Sequence, residues 1–269
     1  MIVSNSNQLH WLCFLVGRLC FMHIHIYVYA YIYIGAVSIS NVSGRLTPIV
    51  SIAGSEFSDN VGPNGGGAAS LQRVLGFVSI TESKFDTNVG GGLWITQNED
   101  GISIVGSYFR KNEFNSNGGG ALFIDDVNRF SDEGVTITDT TFYGNTALRG
   151  GAIEIINIEQ DVIITGSDFK RNTAIESAGG AVALSSVDSV TFTDGKFTRN
   201  TAAGNGGAVD VSIVSGDTTI VDNRFLKNGA GGEGGAVYTD VFGGNLTTEP
   251  NFLYKNSPND FFNATADYE

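Results

Sequence analysis

Two acidic residues stand where hydrolytic chemistry would need them. Glu154 and Asp210 each follow a Gly-Gly-Ala-apolar opening, in "GGAIE" and "GGAVD". Cleavage of a glycosidic bond uses two carboxyl groups roughly 5–9.5 Å apart. If the segments that carry them stack as strands, the pair lies two layers apart, about 9.6 Å, with Ala183 between. The equivalent places elsewhere are read as Ser70, Ile95, Phe123 and Tyr238, which add no further base. The pair is therefore expected to be exposed surface charge. The histidines, His10, His23 and His25, all sit near the N-terminus, so a nucleophile–histidine relay has no members in the rest of the chain. The expectation is a non-enzymatic protein, with polysaccharide cleavage by Glu154 and Asp210 as the alternative.

Three other groupings could bind. Asp125, Asp126, Asp132 and Glu133 share the stretch "DDVNRFSDEG" and could offer oxygen ligands to Ca²⁺, although an acidic, solvated loop needs no metal, and no cofactor is expected. Lys111, Arg171, Arg199, Lys227 and Lys255 each precede an Asn in a recurring motif. In a stack, Arg171, Arg199, Lys227 and Lys255 would align as a basic stripe able to grip an anionic glycan; a turn column kept charged for solubility would look the same. Asn41-Val-Ser, Asn245-Leu-Thr and Asn263-Ala-Thr match the glycosylation acceptor pattern, which has meaning only in a eukaryotic secretory setting.

The elements that position these residues are repeats. Phe-x-x-Asn occurs at Phe57/Asn60, Phe85/Asn88, Phe109/Asn112, Phe142/Asn145, Phe169/Asn172, Phe197/Asn200 and Phe225/Asn228, and an eighth copy has Leu253 with Asn256. Successive lead residues are 28, 24, 33, 27, 28, 28 and 28 positions apart. An alternating segment such as Val162-Ile-Ile begins seven residues before each lead. Between copies lies Gly-Gly-Ala or Gly-Gly-Leu, from Gly66 to Gly234, opening another alternating segment. Alternation with period two marks strands, and repeats of this length mark a stacked architecture.

Each unit is expected to hold three strands, paired with their copies at about 4.8 Å. The predicted fold is all-β: a parallel β-solenoid of about eight coils. One winding cannot offset the entropy of ordering its residues, so only neighbours on both sides make it stable. Phe should point inward as an aromatic column, and Asn should sit at an inward bend, bonding backbone and the next Asn. The glycines should supply sharp corners.

The paired GGA[IVL] and FxxN tetrapeptides, over about residues 49–256, resemble the repeats of the polymorphic outer membrane proteins of chlamydiae. The resemblance implies a right-handed parallel β-helix of pectin-lyase-like architecture and a role as a secreted or surface-displayed adhesin. Its implied partners are a surface glycan or a cell-surface protein. It also places the polysaccharide lyases and hydrolases of the pectin-lyase-like group behind the enzymatic alternative. The family's C-terminal barrel has no counterpart in the residues after Asn256.

The organisation follows as residues 1–43, a β-helix domain over 44–256, and a cap or tail over 257–269. Residues 11–37 are nearly all apolar or aromatic. They suit a secretory signal with small residues near Ala36 and Ser38, or a membrane anchor after Arg18. The alternating "HIHIYVYAYIYI" equally suits translated non-coding sequence. Any membrane contact is expected through this segment alone. Both cysteines, Cys13 and Cys20, lie within it, leaving no disulfide framework elsewhere. The net charge of −13 excludes nucleic acid as a natural partner, because phosphate binding needs clustered Lys and Arg.

Overall fold

A computed structural model of the chain describes residues 12–15, 20–26, 29–31, 37–43, 50–62, 65–116, 118–127, 133–241 and 243–263. Every regular element among them is a strand, and nearly every pairing is parallel and joins a strand to its copy one unit on. The period-two reading thus holds as a solenoid. Val50–Ala53, Val78–Thr81, Ile102–Val105 and their successors form one sheet. Glu56–Ser58, Lys84–Asp86 and successors form the Phe sheet, and Ala69–Leu75, Leu93–Asn98 and successors form the Gly-Gly sheet.

A fourth sheet adds to the three expected strands per unit. It is made of two-residue strands: Glu113–Phe114, Thr146–Ala147, Thr173–Ala174, Thr201–Ala202 and Gly229–Ala230. Two residues cannot display an alternation, so no period-two pattern marks these strands in the sequence.

The seven Phe side chains are each fully buried. Adjacent rings from Phe57 to Phe225 lie 4.6–5.0 Å apart and within 11° of parallel. Strand spacing dictates that separation, so burial and stacking act together.

The Asn column runs beside it. Asn172 donates from its backbone N and its Nδ2 to Asn200 Oδ1 at 3.0 and 3.1 Å, and from Nδ2 to the Phe142 carbonyl at 3.0 Å. The same pattern recurs from Asn88 to Asn228. Asn112 keeps it across the longest step of the repeat. Its backbone N and Nδ2 reach Asn145 Oδ1 at 3.0 and 3.1 Å, its Nδ2 also reaches the Phe85 carbonyl at 2.9 Å, and its Oδ1 accepts from Asn88. The extra residues of that unit therefore leave the column in register.

Asn60 likewise bonds the next Asn, as expected. It donates from its backbone N and Nδ2 to Asn88 Oδ1 at 3.0 and 2.8 Å. Its own Oδ1 is buried without a hydrogen-bond partner among the described residues. In the rest of the column that oxygen accepts from the Asn one winding earlier, and Asn60 is the first of the series. At the C-terminal end Asn256 Nδ2 donates to the Phe225 carbonyl at 3.1 Å and to Asp260 Oδ1 at 2.8 Å, closing the column with a carboxylate. A second internal ladder, of hydroxyls, runs through Ser55, Ser83, Ser107, Thr140 and Ser167, each backbone N–H donating to the next side-chain oxygen at 3.2–3.3 Å.

The glycine pair has two separate causes. Gly150 has φ +55°, and an added Cβ would lie 2.2 Å from the Ile153 carbonyl oxygen. At Gly151 a Cβ would meet the Gly180 carbonyl oxygen of the next winding at 2.3 Å. The first glycine turns the corner; the second lets windings approach.

Within the segment expected to be a signal or anchor, Cys20–Ile26, Tyr29–Tyr31 and Val37–Ser43 pair in parallel with the first repeat's strands. Leu12–Leu15 pairs antiparallel with Cys20–Ile26; the rest of the segment, Ala36 included, and the residues just past the boundary at 43/44 lie outside the described residues. No described helix is long and apolar enough to cross a membrane. At the other end Phe261–Asn263 pairs with Val237–Val241.

Candidate functional site

The register of the Gly-Gly sheet aligns one outward column: Ser70, Trp94, Phe123, Glu154, Ala183, Asp210 and Tyr238. This corrects the expected member Ile95, which is fully buried. Gly90-Gly91-Gly92 contains three glycines, and Gly92, not Leu93, takes the place of Ala121. Counting from the wrong pair shifts the strand by one residue and turns Trp94 inward. In its true place Trp94 stacks on Phe123 (centroids 4.0 Å, 29°) and meets the edge of Phe114 at 5.2 Å.

Glu154 and Asp210 share the column as expected, with Ala183 between, but they are not exposed. Only 5% of Glu154 and 4% of Asp210 reaches solvent. Their cover is Arg149, which no motif in the sequence singles out. From the corner just before Gly150 its Nη1 donates to Glu154 Oε1 at 3.1 Å. Its Nη2 donates to Asp210 Oδ2 at 3.2 Å and to Ser212 Oγ at 3.5 Å. The methyl side chain of Ala183 leaves the space the guanidinium crosses. Arg149 thus braces three windings from outside the core.

Two carboxylates share this one cation. Burial pushes the Asp210 carboxyl up to about 6, against the opposing pull of Arg149, with Asp240 adding to the rise. Burial likewise raises Glu154, against Arg149, with Asp125 and Asp210 contributing. Glu154 Oε2 is buried without a hydrogen-bond partner among the described residues. Such perturbation is common at active sites, but ion-pair networks produce it too. The groove at the neighbouring corner is lined by Ile158, Asp188, Ile213 and Gly243 among others, and by neither carboxylate.

The basic residues align as the spacing requires. The position before each Asn forms a corner column of left-handed residues: Asp59, Thr87, Lys111, Gly144, Arg171, Arg199, Lys227 and Lys255, all with φ between 50° and 65°. Gly144 separates Lys111 from the other four. Arg171, Arg199, Lys227 and Lys255 are exposed and make no ion pair among the described residues. Arg171 donates to Tyr143 Oη at 3.2 Å, and Lys255 lies 5.1 Å over the Tyr254 ring.

Among the described residues no three His, Cys, Asp or Glu side chains converge on a metal position. Asp125 accepts a hydrogen bond from Asn157 Nδ2 at 2.8 Å, and Asp126 occupies a left-handed corner at φ 60°. Glu133 is exposed; Asp132 lies outside the described residues.

No curated protein and no solved structure matched this chain. The pattern defining the right-handed beta helix region matches residues 100–266, more than half of the sequence. Parallel sheets wound unit upon unit agree with that description, and the chain belongs to the right-handed beta helix family.

Proposed function

We propose that this β-helix is a non-enzymatic binding protein of the cell surface or extracellular space, and that its basic row takes an anionic glycan or an acidic patch on a surface protein. One observation carries the reading. Four exposed cations, Arg171, Arg199, Lys227 and Lys255, stand one per winding, unpaired among the described residues, on a protein of net charge −13. A row on a fixed backbone at about 4.8 Å spacing presents a linear polyanion with several simultaneous contacts, and only the side chains have to be ordered on the protein side. The commitment of Glu154 and Asp210 to Arg149 supports a bracing role for the carboxylates. Retention on an immobilised sulfated polysaccharide at low salt, lost in Arg199→Glu/Lys227→Glu, is the expected result. Equal retention by wild type and variant would remove the reading.

The raised proton affinities of Glu154 and Asp210 favour a second reading, polysaccharide cleavage. Turnover on a panel of polyuronates, lost in Glu154→Ala, would establish it.

A further inference from the structure

The Phe sheet presents a face with an acidic edge and a basic edge. Its acidic edge is a second left-handed corner column, Gly54, Glu82, Gly106, Asp139, Gly166, Asp194 and Asp222, with φ between 47° and 63°. The basic edge is the row ending in Arg171, Arg199, Lys227 and Lys255. The edges lie five residues apart along each winding, about 16 Å at most. Between them each strand turns out the residues flanking its Phe: Asp168 and Lys170, Lys196 and Thr198, Arg224 and Leu226, Phe252 and Tyr254. In the last winding Phe252 and Tyr254 are 53% and 45% exposed.

We propose that this face binds a second copy of the chain, related by a two-fold axis parallel to the solenoid. That operation sets each winding against the same winding of its partner and exchanges the edges. Asp194 then faces Arg199, Asp222 faces Lys227, Asp168 faces Lys170, and the Phe252 and Tyr254 rings meet. Toward the N-terminus Lys84 lies opposite Asp86 and Tyr108 opposite Arg110, where Lys84, Asp86 and Arg110 are already paired within the chain and add no new ion pair. No opposition along the face brings like charges together. The pitch matches automatically, because both edges rise one residue per winding. Asp168, Lys170, Asp194, Arg199, Asp222 and Lys227 make no ion pair within the chain among the described residues, so all are available. A face about 38 Å long and 16 Å wide covers about 600 Å² per protomer, about 1,200 Å² in total, at the low end for specific complexes. The dimer is therefore weak and salt-sensitive. It goes beyond the glycan reading and uses the same cations, so a polyanion and a second copy compete.

Sedimentation velocity of the full chain, without glycan, tests it. Wild type is expected to dimerise at low salt and to dissociate as NaCl rises toward about 0.5 M, where screening reaches within a few ångström. Asp194→Lys/Asp222→Lys and Arg199→Glu/Lys227→Glu should each be monomeric with an unchanged β-sheet circular dichroism spectrum, since these left-handed corners already carry both Asp and Lys. Mixed in equal amounts, they should regain the dimer mass, because each then meets its opposite charge. Monomeric wild type at low salt, variants that still dimerise, or a mixture that stays monomeric would each overturn the proposal. Glycan retention is measured separately, so either idea can fail alone.

Discussion

Asp210 offers the sharpest test of the Arg149 brace. Its carboxyl titrates near 6 in the folded chain against 3.8 ordinarily, so the native state holds that proton more tightly than the unfolded chain does. The stability that Asp210 contributes is then full below about pH 3.8 and is lost as pH rises through about 6. At about 1.4 kcal/mol per pKa unit, the penalty above pH 6 is about 3 kcal/mol. Asp210→Asn removes the titration while its amide oxygen still accepts from Arg149, and Glu154 remains to balance the guanidinium. Urea unfolding of both proteins from about pH 3 to pH 7.5 should show their stability difference shifting by about 3 kcal/mol in favour of the variant. In melting temperature this is about 6–12 °C for a chain of this size. The slope is the informative quantity, because any fixed cost of a buried amide cancels from it. A difference independent of pH would refute the assignment of a buried, cation-poor carboxylate. Arg149→Met should do the reverse, leaving both carboxylates without a cation. It should be strongly destabilising at pH 7.5 and recover toward pH 4.

Asn172→Ala strands the Asn145 N–H inside the stack and removes one of the bonds to the Phe142 carbonyl, and should cost about 1–3 kcal/mol in urea unfolding, whereas Thr191→Ala on the half-exposed neighbouring sheet should change stability by about 0.5 kcal/mol or less. Phe109→Ala should cost about 3–5 kcal/mol, and a melting temperature within 2 °C of wild type, about 1 kcal/mol, would contradict the column. Melting with excess Ca²⁺ and with chelator should coincide, since the described acidic residues near Asp125 do not converge; a rise with Ca²⁺ would reinstate that loop as a metal site.

The repeat makes the fold legible in the order of the residues alone. Phe and Asn recur at fixed separation from their preceding strand because residues that stack cannot slip, and the windings follow from that rigidity. The basic row is legible for the same reason, since Arg171, Arg199, Lys227 and Lys255 occupy one corner of one motif. What stays hidden depends on contacts between windings. Trp94 escapes because an extra glycine blurs the register, and a one-residue shift reverses inside and outside. The fourth sheet escapes because two residues carry no period. The Oδ1 of Asn60, without a partner among the described residues, escapes because a motif copy looks the same at the start of a column as in its middle. Arg149 lies in a gap of variable length, and its bond to Asp210 spans 61 residues. Residue types and spacing thus determined the winding and what lines its interior. Only the tertiary structure decided that Glu154 and Asp210 are buried under a shared cation, because covering an outward side chain depends on where a neighbouring corner projects, and no periodicity records that.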